Sequence, residues 1–144
     1  MKNGNYMSKN LEAEISLKVP FFDVDPMGVV WHGNYIKYFE LARCALLDQI
    51  EYNYNQMKES GYAFPVVKLK VKYILPCFFE QEIKIKATLI EYENCLNIKY
   101  IITDAKNRKI LTKAQTSQVA INMQTLETCF VLPAVFLEKI SLLQ

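Results

Sequence analysis

Histidine and tryptophan occur once each in this chain of 144 residues, and glycine only four times. A single imidazole excludes every metal site or proton relay that needs two histidines from one chain. With four glycines and five prolines there is no low-complexity or linker-like stretch. A Gly-rich phosphate loop and a GxSxG elbow are both missing. The net charge of +2 is too small to imply nucleic acid or an anionic membrane surface as partner. No apolar run approaches the roughly 20 residues of a membrane span. The opening "MKNGNYMSKNLEAE" lacks an apolar signal core. Cys44, Cys77, Cys95 and Cys129 form no CxxC pair, which argues against a zinc cage or a disulfide framework and for reduced thiols. Together these absences predict a cytoplasmic protein.

What is present suits one domain spanning residues 1–144, with a flexible N-terminus over 1–12. In "AEISLKVPFF", Ile15, Leu17, Val19 and Phe21 alternate with Glu14, Ser16 and Lys18, the period of a half-buried strand. From about Gly33 to Ile50 the spacing predicts a helix. Its charges, Lys37, Glu40, Arg43 and Asp48, fall within an arc of about 140°, leaving an apolar face wide enough to be wrapped by other elements.

The two-residue period returns after Gly61. Val67, Leu69, Val71 and Tyr73 alternate with lysines; then Ile83, Ile85, Ala87 and Leu89 share a face, as do Leu96, Ile98, Tyr100 and Ile102. Polar turns near Glu93–Asn94 and in "DAKNRK" separate these runs. A long strand is expected over Ile110–Met123, followed by a C-terminal extension over 124–144 with a short helix from about Pro133. Strand, long helix and four strands on short turns predict an α+β fold, an antiparallel sheet of about five strands curved around one helix.

The stretch "FFDVDPMGVVWHGNYIKYFELAR" places Asp23, Asp25 and His32 just before that helix. Aspartate before a helix is most often a cap or a turn residue, and a lone histidine most often structural. An Asp–Asp–His cation site is another reading. The chemical reading joins a carboxylate, as nucleophile or general base, to the unpaired N–H groups at the helix start, which form an oxyanion hole. Cys44 lies about 18 Å along the helix from His32, too far for a Cys–His pair. So sparse a set suits a thioester, because a thiolate leaves far more readily than an alkoxide or amide.

The motif D-x-D-x-x-G-x-V-x-(H or Y)-x-x-Y, filled here by Asp23, Asp25, Gly28, Val30, His32 and Tyr35, resembles the signature of the hotdog-fold acyl-CoA thioesterases, in the 4-hydroxybenzoyl-CoA thioesterase and YbgC-like group. Glu40, Ala42 and Arg43 on the helix and the Y-x-x-P of Tyr73 and Pro76 match as well, and the likeness runs over about residues 13–125. The resemblance implies a hotdog fold and Asp25 as the catalytic carboxylate. It also implies that the amide of His32 or Gly33 polarises the carbonyl. The His32 side chain is implied as a second catalytic group, either binding the thioester or assisting the departing sulfur. Asp23 is implied to be a turn-forming residue. Gly33, Trp31 and Tyr35 are expected to contact substrate, Trp31 narrowing the acyl pocket. "CFFEQE" after Pro76 departs from the group's pattern.

The implied partners are an acyl-CoA, whose coenzyme A is substrate and product rather than cofactor, or an acyl group on acyl carrier protein, with a homodimer or homotetramer as the assembly. No cofactor, metal or membrane span is expected. A non-catalytic acyl-binding module is the rival of a different class. Lys68, Lys70 and Lys72 read as a solvated strand face, with coenzyme A phosphates as the alternative.

Overall fold

The computed structural model describes residues 11–142; the expectation of a flexible segment over residues 1–10 lies outside them. Eight strands and three α-helices follow in chain order among these residues: β1 Glu12–Lys18, α1 Tyr35–Gln49, α2 Tyr54–Ser60, β2 Tyr62–Ala63, β3 Val66–Tyr73, β4 Glu82–Glu91, β5 Leu96–Asp104, β6 Ile110–Gln118, β7 Ile121–Asn122, β8 Glu127–Thr128 and α3 Ala134–Ser141. Short 3₁₀ turns at Phe21–Asp23 and His32–Asn34 bracket the loop before α1.

The main sheet has the order β1-β4-β5-β6-β3, every pair antiparallel. Its inner face is the one read from alternation. Ile83, Ile85, Ala87 and Leu89 of β4 and Leu96, Ile98, Tyr100 and Ile102 of β5 are all buried. Helix α1 lies across β1, β4 and β5 and buries Tyr35, Tyr38, Phe39, Ala42, Leu46 and Leu47 against them. Phe39 meets Tyr100 at 5.0 Å between ring centroids. The sheet curved around one helix is thus present, with a second sheet β2-β7-β8 at one end.

Several expectations are corrected. The strand expected over Ile110–Met123 breaks after Gln118. Gln118 Nε2 donates to Phe64 O, and Val119 N–H donates to Pro65 O. The chain is drawn out of the main sheet there, and Ile121 begins the second one. Strand β3 does not pair with β4, as short turns would suggest; residues 74–81 carry the chain back across the sheet. Phe21 is exposed and lies beyond β1. Glu12, assigned by expectation to the flexible end, begins β1. Ile36 and Leu41 stand exposed on α1, so the buried stripe is narrower than expected and the helix is covered on one side only.

Helix α2 was not anticipated, although its ends carry ordinary signals. Asn53 and Gln56 form a reciprocal capping box, and Gly61 closes the helix at φ +89°. Its single buried residue, Met57, leaves too short an apolar pattern to count.

Leu46 is completely buried beneath α1. Leu46→Ala is expected to lower the free energy of unfolding by about 3 kcal/mol, read from the shift in urea midpoint.

Candidate functional site

The loop between β1 and α1 is a small hairpin. Val24 bridges Val30, Asp25 N–H donates to Val29 O at 2.8 Å, and Trp31 N–H donates to Asp23 O at 3.0 Å. The turn closes at Gly28, whose φ of +82° favours glycine. Residues 77–79 clamp the second arm from outside: Val30 N–H donates to Cys77 O at 2.8 Å and Phe79 N–H to Gly28 O at 3.2 Å.

The two aspartates have different surroundings: the Asp23 side chain, implied to form the turn, is buried, and it is the Asp25 side chain that closes the turn. Asp23 is 2% exposed. Its carboxylate takes Lys37 Nζ at 2.5 Å on Oδ1 and the Tyr38 hydroxyl at 2.8 Å on Oδ2. Both donors belong to the first turns of α1, so Asp23 ties the hairpin to the helix. Asp25 forms the turn. Its Oδ1 accepts from Met27 N–H at 2.8 Å and Val29 N–H at 3.4 Å, while Oδ2 has no partner among the described residues. Asp25 and the helix start are thus joined by a braced hairpin and not by a hydrogen bond.

At the other side of the site the chain enters α1 through the 3₁₀ turn His32–Asn34. Neither the His32 nor the Gly33 N–H finds an acceptor among the described residues. Their carbonyl side is fixed: Asn34 N–H donates to Trp31 O at 2.8 Å, and the Tyr73 hydroxyl donates to His32 O at 2.8 Å. The His32 imidazole is exposed and leans on the Trp31 indole, with centroids 4.8 Å apart. The indole is 51% exposed and occupies the space that a Cβ on residue 33 would need. Only glycine fits beneath it.

Tyr35 was expected at the substrate and is instead buried, at 3% exposure. Its hydroxyl accepts from Cys77 N–H at 3.2 Å, and its ring meets Tyr73 edge-on at 5.0 Å. Burial raises the ionisation of Tyr35 and Tyr38 far above the usual phenol range, and it pushes the Cys77 thiol up to about 11. These groups stay neutral and structural at physiological pH.

The cation reading fails on geometry: among the described residues no three metal-ligating side chains converge, because Asp23 turns inward to Lys37. The part played by Tyr73 was missed. Its place in a Y-x-x-P element was visible, but a bond to a backbone carbonyl leaves no trace in residue type.

Residues 19–140 match the family described as the thioesterase-like superfamily. The chain is 24% identical over 111 residues to YneP of Bacillus subtilis, covering 76% of this chain and 79% of that one. Over 107 residues it is 25% identical to the acyl-CoA thioester hydrolase YbgC of Escherichia coli, covering 74% and 79%. In fold it superposes on the crystal structure of a DHNA-CoA thioesterase from Staphylococcus aureus with a TM-score of 0.81, at 26% identity over 92% of this chain and 91% of that one.

The difference in burial has a thermodynamic signature. Asp23→Ala is expected to lower unfolding free energy by about 2 kcal/mol, because the buried Tyr38 hydroxyl loses its acceptor while the half-exposed Lys37 returns to water. Asp25→Ala should lower it by about 1 kcal/mol or less, the scale of one lost turn or cap bond. Paired thermal melts check the contrast.

Proposed function

We propose that this chain, which belongs to the thioesterase-like superfamily, hydrolyses acyl-CoA thioesters to a free acid and coenzyme A. The observation that carries the reading is a pair of open groups, one on the hairpin and one at the helix entrance. Among the described residues Asp25 Oδ2 has no partner, and neither has the His32 or the Gly33 N–H. A thioester between them finds a carboxylate on one side. On the other it finds helix-start amides, where the peptide dipoles favour developing negative charge.

Asp25 acts in one of two ways. It takes a proton from an attacking water, or it attacks the carbonyl itself to give an anhydride that water then opens. In either case the carbonyl oxygen gains charge against the His32 or Gly33 N–H, the C–S bond breaks, and the sulfur leaves as thiolate and is protonated. The thiolate is a good enough leaving group that no fully formed triad is required. The exposed His32 imidazole serves the thioester or the departing sulfur. Trp31, lying over Gly33, limits the bulk of acyl group that reaches the amides. The reaction asks for no metal or cofactor beyond the coenzyme carried by the substrate. A cytoplasmic location follows from the same reading; no helix among the described residues is long and apolar enough to cross a membrane.

The assembly we infer is a homodimer, or a homotetramer built from it, joined through β3. This strand is at the sheet edge with one ladder unpaired. Its inward row, Leu69, Val71 and Tyr73, meets α1 only where Tyr73 packs on Tyr35, and Leu69 and Tyr73 are 38% and 48% exposed. An edge strand that is apolar and uncovered is a template for a second strand. Sedimentation equilibrium should give a dimer or tetramer for the parent and a monomer for Leu69→Asp; a monomeric parent would remove this assembly.

Asp25→Asn is expected to reduce free-thiol release from acyl-CoA by roughly a thousandfold while circular dichroism stays unchanged. Thiol release at the parent rate would sink the mechanism. Acylated carrier protein, assayed beside acyl-CoA, decides which thiol carrier is preferred.

A further inference from the structure

In the 3₁₀ turn His32–Asn34 that leads into α1, the His32 carbonyl oxygen accepts from the Tyr73 hydroxyl at 2.8 Å, the one side-chain donor on that turn's backbone among the described residues. Tyr73 is the last residue of β3, paired with Thr112 of β6. Its ring is braced edge-on by Tyr35, and Tyr35 is itself fixed by Cys77 N–H. The half-exposed ring is thus held on one side by Tyr35, with its hydroxyl on the His32 carbonyl.

The carbonyl it touches is one end of a peptide unit whose other end is the Gly33 N–H. All peptide bonds among the described residues are trans. In a planar trans peptide, C=O and N–H point in opposite directions. A donor fixed at the oxygen therefore fixes the direction of the hydrogen. It also withdraws electron density through the peptide and makes that N–H a stronger donor. The Gly33 N–H has no acceptor of its own among the described residues, so the strengthened donor is free for a ligand.

We propose that Tyr73 is a positioning residue for the hydrolysis: through the His32 carbonyl its hydroxyl aims and polarises the Gly33 N–H that receives the thioester oxygen. The proposal rests on the reading of the α1 start as an oxyanion site, and it names Gly33, rather than His32, as the amide that matters. Burial raises the ionisation of Tyr73 above its ordinary value, which keeps the hydroxyl protonated, and so a donor, wherever the enzyme works.

Tyr73→Phe retains the ring against Tyr35 and removes only the hydroxyl. Its kcat should fall roughly tenfold with KM within about twofold, because the lost interaction grows with charge in the transition state. The second measurement is infrared. An Asp25→Asn protein holds acyl-CoA unreacted, and the thioester C=O stretch reports the strength of the bond to its oxygen. Adding Tyr73→Phe should move that stretch to higher frequency. 3-Fluorotyrosine incorporated at position 73, a stronger donor of nearly the same shape, should move it lower. A merely structural tyrosine would leave the stretch unmoved in both proteins, and that result overturns the proposal whatever happens to the rate. No thiol release by the unmutated protein would remove the hydrolytic reading and the role of Tyr73 with it. Release by the parent with unchanged kcat in Tyr73→Phe would remove the role of Tyr73 alone.

Discussion

A carboxylate out of contact with water must be paired or it unfolds its surroundings. Asp23 meets this demand by taking both of its partners, Lys37 and Tyr38, from the first turns of α1. The consequence reaches beyond the ion pair. With its side chain anchored on the helix, the Asp23 carbonyl accepts from Trp31 N–H and from Asn34 Nδ2. Both arms of the hairpin are thereby tied to the helix entrance. The turn that carries Asp25 is then set at a defined place relative to the helix start, although the two share no hydrogen bond. A substrate can enter between them because Asp23 has made the connection elsewhere.

The legibility of the chain follows which faces a single subunit buries. In β4 and β5 one face meets α1 and the other is more open, apart from the buried Thr88 and Asn97, so alternation reported the inner residues without error. The same alternation in β3 suggested a half-buried strand, yet most of that strand is exposed, because α1 ends its reach before the sheet does. Periodicity reports an apolar row in β3, and this chain alone leaves most of it open. The break after Gln118 was invisible for another reason. No proline or glycine marks it, and the apolar rhythm runs through Ala120 and Ile121 unbroken. What ends β6 is bonding to Phe64 and Pro65, residues more than 50 positions earlier.

At the site, residue types pointed to Asp25, His32 and the amides of the helix start; the resemblance put those amides at His32 or Gly33 and gave Asp23 the turn that the Asp25 side chain makes. Two carboxylates one residue apart look alike in sequence. Only the partners on α1, Lys37 and Tyr38, 14 and 15 residues after Asp23, make one of them internal. Tyr35 misled for a similar reason. A tyrosine one residue past a helix entrance reads as a lining residue, but helical geometry turns this one inward, where Cys77 N–H takes its hydroxyl.

Strand β3 carries two duties that meet at Tyr73. Along its length it presents the unpaired ladder and the apolar row through which we infer that a second copy joins, and at its end it supplies the hydroxyl on the His32 carbonyl. Edge strands fray most easily where one ladder is missing, since half of their backbone groups bond only to water. Pairing with a second copy, as proposed, would remove that freedom along Val66–Tyr73. A strand steadied in that way would also steady the hydroxyl, and a stiffer β3 would hold the 32–33 peptide in one orientation. Preorganised dipoles stabilise charge in proportion to how little they must move when it appears. The proposed assembly and the proposed oxyanion amide would thus depend on the same eight residues.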